Sequence, residues 1–371
     1  MPRTPFHDVS KTLGATFGEF SGWEMPRHFG LLAEEVARAR QHGGIVDLSN
    51  WSKLKLSGAD AAEFLHNYTT QNIKALAEGQ GLQTAVTTWK GTMIDHVFVY
   101  RLDDGLRVIG HPETGPLISK ALQKYLFGVD VEIEDVTEAR AMFYVFGPRA
   151  AALLEAAGDE KLTELPLHAF KLVSLDGSDS MVARTWPMGG DGFIVLIPTE
   201  QAVEAFLAIQ KAAQAHEVPF IGMEAYEILR IEEGLPSFPQ EINEDRNPWE
   251  VRLADSVSMN KGCYLGQEVI ARLANYQKVQ RHLVGLRLNQ PVEAGLSLLD
   301  ETGKAIGLLT SVAFAPDAEY PVALGFLKTD WAQPGKTVRV ASGDTPVEAE
   351  VRDLPFWQGL SGGGVTPRHA Q

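Results

Sequence analysis

Between residues 51 and 139, apolar positions follow in turn the two-residue period of strands and the 3.6-residue period of helices. Strands are predicted at residues 53–56, 83–89, 93–101 and 106–109. Lys90-Gly91 and the run 103–105 supply turn residues between the last three strands, so these strands are expected to pair in an antiparallel sheet. Helical spacing at 61–66 and 114–126 completes one predicted α/β unit.

The order of strand, short turn and helix recurs elsewhere in the chain. The predicted strands are 45–48, 141–146 and 192–197, and the predicted helices are 31–41, 147–158, 200–215 and 223–233. Gly234 and Pro236 end the last helix, because glycine favours the left-handed cap and proline cannot continue a helix. These segments predict a second α/β unit.

A different pattern begins at about residue 281. Short alternating runs occur at 282–288, 305–312, 321–327 and 337–341, separated by glycine, proline and aspartate. Such runs are typical of small sandwiches and barrels, so we expect an all-β C-terminal domain. The glycine-rich tail from Gly362 is expected to be disordered.

Composition narrows the possible classes of protein. A chain of 371 residues with 44% hydrophobic residues is typical of a globular protein of two or three domains. A formal net charge of −15 argues against direct, sequence-independent binding to nucleic acid, which needs a basic face. The chain begins without the apolar stretch of a signal peptide and has no apolar run of the ~20 residues that span a bilayer. A cytoplasmic protein with no membrane partner is therefore expected.

The chain has one cysteine, Cys263, which excludes an internal disulfide and any metal site built from several cysteines of one chain. Four histidines lack the spacing of metal ligands and are expected to be exposed or internally hydrogen-bonded: His42, His66, His111 and His282. No resident metal is predicted. No phosphate-binding Walker run or dinucleotide glycine fingerprint is present.

Asp95 is the first candidate for chemistry. It lies in a strand, predicted at 93–101, that is largely apolar on both faces and is therefore expected to be central and covered on both sides. Burying a carboxylate there costs free energy unless it has a partner, and a charged or hydrogen-bonding ligand is one such partner. The alternative is that Asp95 lies at the strand mouth and caps the adjacent hairpin. The residues alone leave both open.

Residues 260–268 read Asn-Lys-Gly-Cys-Tyr-Leu-Gly-Gln-Glu and hold the cysteine between two glycines. Apolar spacing predicts a helix from about residue 266, with an acidic residue early and a basic one late, as the helix dipole favours. Cys263 then lies before a helix N-terminus and near Lys261, and both features favour the thiolate. The alternative, which composition alone favours, is a small buried apolar cysteine.

This run resembles the signature Lys-Gly-Cys-Tyr-x-Gly-Gln-Glu of the YgfZ-type proteins, folate-binding relatives of the glycine-cleavage T-protein that support iron–sulfur protein maturation. The chain also resembles the T-protein itself in three blocks. They are Phe-Ser-Gly-Trp-Glu-Met-Pro at 20–26, Gly-Gly-Ile-Val-Asp-Leu-Ser at 43–49 and Leu-Arg-Ile-Glu-Glu-Gly-Leu-Pro at 229–236. In the block at 91–96, the aspartate credited with catalysis of aminomethyl transfer corresponds to Asp95. The resemblance covers the chain from about residue 14 to 327.

One departure from the T-protein pattern bears on activity. The block at 184–193 resembles Gly-Tyr-Thr-Gly-Glu-Asp-Gly-Phe, but the glutamate that grips the pterin corresponds to Gly190. A carboxylate pairs with the pterin edge through two parallel hydrogen bonds, which glycine cannot make. Asp191 is expected to be a turn residue and only a partial substitute. The missing glutamate weakens the case for ordinary aminomethyltransferase activity.

The resemblance implies an α+β fold with two ferredoxin-like-related α/β domains and a C-terminal β-barrel around a central folate channel. Residues 1–50 and 140–275 would form the first α/β domain, which binds folate. Residues 51–139 would form the second, with an antiparallel sheet, and residues 276–371 the barrel domain.

The resemblance also implies tetrahydrofolate as the cofactor. The first functional hypothesis is an accessory protein for iron–sulfur cluster assembly or repair, with assembly or client proteins as partners and an indirect effect on tRNA modification. The alternative is a tetrahydrofolate-dependent aminomethyl- or methyltransferase, and a third is a folate-binding relic without chemistry. The implied site residues are, for catalysis, Asp95 and Cys263 and, for folate binding, Asp95, Arg230, Lys261 and Tyr264. From the residues alone, Arg230 can instead pair with a glutamate one helical turn away, and Tyr264 can simply pack.

Overall fold

The computed structural model describes residues 1–186, 188–276, 279–316, 318–343 and 345–356. Within these ranges the helices are α1 His7–Thr12, α2 Leu32–His42, α3 Ala61–Tyr68, α4 Thr114–Gln123, α5 Ala150–Ala157, α6 Ala202–His216, α7 Met223–Glu233 and α8 Gln267–Asn275. The strands are β1 Thr16–Phe20, β2 Trp23–His28, β3 Gly44–Asp47, β4 Trp51–Ser57, β5 Gly81–Thr87, β6 Met93–Leu102, β7 Gly105–Pro112, β8 Glu132–Asp135, β9 Arg140–Gly147, β10 Phe170–Leu175, β11 Ser178–Arg184, β12 Asp191–Pro198, β13 Phe220–Ile221, β14 Arg281–Leu288, β15 Ser297–Leu299, β16 Ala305–Ala313, β17 Val322–Lys328, β18 Thr337–Val340 and β19 Val347–Arg352. The tail from Gly362 lies outside the described residues.

One sheet has six strands in the order β10-β11-β12-β9-β3-β13. The short strand β13 pairs parallel with β3, and the other neighbours are antiparallel. Along β9, Phe143 packs with residues of α5 and α6, whereas the next residue, Tyr144, packs into the centre of the molecule. This alternation is the two-residue period of a strand covered on both faces. The sequence analysis did not predict the hairpin of β10 and β11.

The second sheet has five antiparallel strands in the order β5-β6-β7-β4-β8. Helices α3 and α4 cover one face, where Leu65 and Ile118 pack with Val97 of β6. The opposite face turns Phe98 toward the centre of the molecule. Strand β6 has a strand on each side and is buried along residues 93–100, as its apolar sequence predicts.

The C-terminal strands close into a barrel in the order β14-β17-β16-β15-β18-β19. Its interior is filled by apolar side chains such as Leu286, Leu298 and Val340. The predicted α+β fold with a C-terminal β-barrel is therefore confirmed. The boundaries given above for the three domains stay a prediction.

The two sheets and the barrel share one central core. Trp51 and Phe98 enter it from the five-stranded sheet, Tyr144 from the six-stranded sheet and Phe326 from the barrel. Helix α7 crosses this core and contributes Leu229. Side chains far apart in the sequence consequently meet around α7.

Candidate functional site

A cavity of about 300 Å³ lies where the two sheets approach α7. Strands β4, β6 and β7 form one side of it, and α7 with the loop at 235–240 forms the other. This volume is at the lower end of the range that is typical of small-molecule sites. The cavity is therefore the candidate ligand-binding site.

Flat aromatic side chains form much of the wall. The ring centroids of Phe98 and Trp186 lie 4.6 Å apart with the planes at 22°, and those of Trp51 and Trp186 lie 5.9 Å apart at 16°. His111 stacks on Trp51 at 4.8 Å. Near-parallel rings of this kind provide an apolar surface on which a planar heterocycle can stack.

Two polar atoms in the cavity wall are buried and have no hydrogen-bond partner among the described residues. They are the acceptor Oδ1 of Asn50 and the donor Nε1 of Trp186. An unsatisfied buried polar atom costs roughly 1–3 kcal/mol, so native structures usually pair such atoms. Both atoms are closed to solvent in this conformation, so a ligand with one donor and one acceptor would satisfy them only after the two side chains shift toward the cavity.

Asp95 is fully buried, and its carboxylate is held by four donors. Oδ1 accepts from the backbone N–H of His96 at 2.7 Å and from Nδ1 of His111 at 2.7 Å. Oδ2 accepts from the backbone N–H of His111 at 2.9 Å and from the hydroxyl of Thr114 at 2.6 Å. Gly110 leaves room for this arrangement, since a Cβ there would lie 2.4 Å from Oδ2. Asp95 therefore lies behind the cavity wall, and His96 and His111 stand in the wall itself.

The two histidines of the wall have different environments. Nδ1 of His111 bonds to the Asp95 carboxylate, whereas Nε2 of His96 lies 2.7 Å from the hydroxyl of Ser256. Burial, together with the charge of His111, lowers the pKa of His96 to about 3. His96 is therefore neutral at physiological pH.

Arg230 lines the cavity, but its guanidinium is fully engaged within the protein. Its nitrogens donate to both carboxylate oxygens of Glu227, to Glu241 at 3.1 Å, to the carbonyl of Leu235 and to the hydroxyl of Ser311. Burial opposes the charge, but the two glutamates outweigh it and raise the pKa of Arg230. The interaction with Glu227 that the sequence allowed is thus present, and Arg230 also joins α7 to the barrel.

Four predicted site residues do not line the cavity: Asp95, which lies behind its wall, and Lys261, Cys263 and Tyr264. The ammonium of Lys261 donates to the carbonyls of His66 in the last turn of α3, of Thr69 at its C-cap and of Gln71. Carbonyls at the end of a helix lack intrahelical donors, which explains why the lysine is buried here.

The rest of the signature run is fixed on the same side. Tyr264 packs with Val257 and Ile270, and the Cys263 side chain is exposed. The hydroxyl of Thr87 donates to the carbonyl of Leu265 at 2.7 Å, which holds the run against β5. The structure thus places Cys263 apart from the cavity that Arg230 lines, because the signature run docks on α3 and β5.

The backbone explains why no glutamate side chain can stand at the position of Gly190. Gly190 has φ of +142°, and a Cβ there would lie 2.8 Å from backbone atoms of Gly147 and Pro148. Asp191 pairs with Arg184 at 2.5 Å. Among the described residues that line the cavity, the one carboxylate is Glu227, which is paired with Arg230.

Sequence reasoning missed several residues of the wall. Asn50, Trp51 and Trp186 were not singled out, and His111 was expected to be exposed or internally satisfied. His111 offered one signal, since it is a polar residue at the end of an apolar strand next to a proline. Nothing in the sequence indicated that it faces Asp95.

Within the described ranges, no group of three or more His, Cys, Asp or Glu side chains could hold a metal ion. In the same ranges, no helix is both long and apolar enough to cross a membrane.

Comparison with known proteins identifies the family. Residues 6–261 match the GCVT N-terminal domain, and residues 281–358 match the glycine cleavage T-protein C-terminal barrel domain. The chain is 30% identical over 360 residues to an aminomethyltransferase of Saccharopolyspora erythraea, covering 96% of this chain and 98% of that one. It is 32% identical to a putative chloroplastic transferase of Arabidopsis thaliana, covering 93% and 79%.

A solved structure supports the same family assignment. The glycine cleavage system aminomethyltransferase T of Bartonella henselae superposes with a TM-score of 0.84 at 28% identity, over 96% of this chain and 98% of that one. The chain thus belongs to the glycine cleavage T-protein, or aminomethyltransferase, family.

Proposed function

We propose that this protein binds tetrahydrofolate in the central cavity and transfers a one-carbon group, aminomethyl or methyl, to or from it. Relatives named aminomethyltransferase match the chain over almost its whole length, which supports this class of reaction. Tetrahydrofolate supplies amine nitrogens that can accept a one-carbon unit. The chain supplies the cavity, its hydrogen-bonding groups and its exclusion of water.

One observation carries the proposal. Inside aromatic walls suited to a planar ring, Asn50 Oδ1 and Trp186 Nε1 are buried and have no partner within the described residues. A reduced pterin is planar over much of its area and carries both donors and acceptors at its edge, so it fits such a slot. We infer that the two side chains shift on binding, so that Asn50 accepts from the pterin and Trp186 donates to it.

Recognition of the pterin by Asn50 and Trp186 differs from recognition by a carboxylate. The backbone at Gly190 has no room for a side chain, and Glu227 is already paired with Arg230. The ligand edge would therefore meet neutral groups. A neutral hydrogen bond is about half as strong as a charge-assisted one, so we expect weaker folate binding than a carboxylate-containing site would give.

Titration with tetrahydrofolate, followed by tryptophan fluorescence, tests binding. Saturable quenching is expected, because Trp51 and Trp186 line the cavity. Trp186→Phe keeps the ring stacking and removes the donor, which should weaken affinity roughly tenfold, the equivalent of a hydrogen bond of about 1–1.5 kcal/mol. Trp89→Phe is the matched control, since this side chain is 70% exposed on the β5–β6 turn, and it should bind like the wild type. Absence of saturable binding at high micromolar tetrahydrofolate would refute the proposal.

Turnover needs a separate measurement. A donor that carries a carbon-13 aminomethyl group is incubated with the protein and tetrahydrofolate, and mass spectrometry follows the label into the folate. Binding of tetrahydrofolate without transfer of label from aminomethyl or methyl donors would contradict the transferase activity and support a protein that only binds folate.

An accessory role in iron–sulfur cluster assembly or repair is the second candidate. It is favoured by the exposed thiol of Cys263 within the Lys-Gly-Cys-Tyr-x-Gly-Gln-Glu run, which an assembly or client protein could reach. An effect on tRNA modification would be indirect, through cluster enzymes. In cells that lack the protein, Cys263→Ala should then fail to restore the activity of an iron–sulfur enzyme. Full restoration by Cys263→Ala, with loss of restoration by Trp186→Phe, would favour the transferase.

A further inference from the structure

The carboxylate of Asp95 has no capacity left for a ligand. Each of its oxygens already accepts two hydrogen bonds, at 2.6–2.9 Å, and the side chain is fully buried. A group that transfers a proton to or from a substrate must come within hydrogen-bond distance of it. Asp95 would have to leave this network and cross the cavity wall to do so.

His111 stands between Asp95 and the cavity. Its backbone N–H and its Nδ1 both donate to Asp95, and its ring lies against Trp51, so both the position and the rotation of the imidazole are fixed. Because an ionised carboxylate only accepts hydrogen bonds, the proton of the neutral imidazole is on Nδ1. Nε2 then has a free lone pair, makes no hydrogen bond to any described residue and belongs to a side chain that lines the cavity.

We propose that Nε2 of His111 is the proton-transfer group of the cavity and that Asp95 is a positioning residue that acts through His111. This inference rests on the proposed function. In this proposal His111 contacts the reacting nitrogen of the ligand. Asp95 fixes the tautomer of His111 and stabilises the imidazolium that forms when His111 accepts a proton.

The proton balance is simple. An amine nitrogen of the ligand forms a bond to the one-carbon centre while the bond from that carbon to its leaving atom breaks. Nε2 of His111 accepts the proton that the amine loses and returns it to the leaving atom. No electrons are gained or lost overall, Asp95 stays ionised, and no further reactant is needed. The second histidine of the wall cannot replace His111, because the low pKa of His96 prevents it from holding a proton at neutral pH.

Few other charges face this imidazole. From its neighbouring strand come Asp95 and His96, and across the cavity α7 presents Glu227 and Arg230, which are paired with each other.

Nitrogen-15 NMR of histidine-labelled protein tests the tautomer without any ligand. The His111 signals are assigned by their loss in His111→Gln. The wild type should show a protonated Nδ1 and an unprotonated Nε2, and Asp95→Asn should shift the population toward protonated Nε2. A proton on Nε2 in the wild type would overturn the proposal. If Asp95→Asn does not fold, the wild-type spectrum still decides.

Transfer of the carbon-13 label to tetrahydrofolate tests the contact. His111→Gln cannot pass a proton and should slow label transfer by at least about 100-fold, while tetrahydrofolate still binds saturably. His216→Gln, at the end of α6 on the far side of the six-stranded sheet, should transfer the label at the wild-type rate.

The two proposals fail in different ways. Saturable binding with the same rate of label transfer in the wild type and in His111→Gln would overturn the role of His111 alone. No saturable binding of tetrahydrofolate by the wild type would overturn the proposed function and this inference together.

Discussion

Replacing Arg230 with methionine removes the charge that joins α7 to the barrel while keeping a long side chain at the same place. Glu241 is fully buried and loses its cationic partner in this variant. It keeps the backbone N–H of Ser237 at 3.0 Å and the hydroxyl of Ser311 at 2.7 Å, which are neutral donors.

The two ion pairs of Arg230 contribute differently to the free energy of unfolding. Breaking a buried pair by removing one partner typically costs about 3–5 kcal/mol, because the other charge stays buried and uncompensated. The side chain of Glu227 is 51% exposed, so solvent compensates it and its loss adds less than about 1 kcal/mol. We therefore expect Arg230→Met to lower the free energy of unfolding by about 3–5 kcal/mol, most of it through Glu241.

A double-mutant cycle separates these contributions. Unfolding in urea is followed by fluorescence and by circular dichroism, and coincident transitions allow conversion to free energy. Arg230→Met with Glu241→Gln should recover at least about 2 kcal/mol of the loss, since the stranded charge is gone. Glu227→Gln is the matched control and should cost less than about 1 kcal/mol. A loss below about 1 kcal/mol in Arg230→Met, or no recovery in the double variant, would refute this reasoning.

Three further predictions concern stability. Gly190→Glu, which would restore the carboxylate of the family, should lower the melting temperature and leave less folded protein, because the Cβ meets backbone 2.8 Å away; an unchanged melting curve would contradict this. Lys261→Met should lower the melting temperature because the carbonyls of His66 and Thr69 lose this donor, whereas the carbonyl of Gln71 keeps the backbone N–H of Ile73. Tetrahydrofolate affinity, measured by titration, should not change; weaker binding would support the predicted contact of Lys261 with folate. Because the pKa of His96 is about 3 in the folded protein and 6.5 in the unfolded chain, the unfolded state binds one more proton between these values, and stability falls as the pH falls from about 6.5 toward 3. His96→Gln should reduce the slope of stability against pH in that window by up to about 1.4 kcal/mol per pH unit, and an unchanged slope would show that other groups cause it.

The local pattern of the sequence predicted many of the elements. Strand β6 and helix α7 lie where the apolar period placed them, because each element is encoded by neighbours a few residues apart. The hairpin of β10 and β11 was missed although its turn signal was present. Asp176 and Gly177 both have positive φ, as a tight two-residue hairpin turn requires.

Motifs in the sequence identified the family and the C-terminal barrel, and the apolar run around Asp95 predicted a central strand covered on both faces. They did not show which side chains share a cavity. Lys261 begins the signature run in sequence but caps α3 in space, whereas Asn50, His111 and Trp186 come from separate parts of the chain and meet at one wall.

The period of a strand or helix is set by contacts between near neighbours, so the sequence by itself determined most of the helices and the central strands of both sheets. The site depends on how two sheets, one helix and a barrel pack around a common core, and on the register that places His111 against Asp95. Those contacts join residues far apart in the chain, and only the tertiary structure decided them.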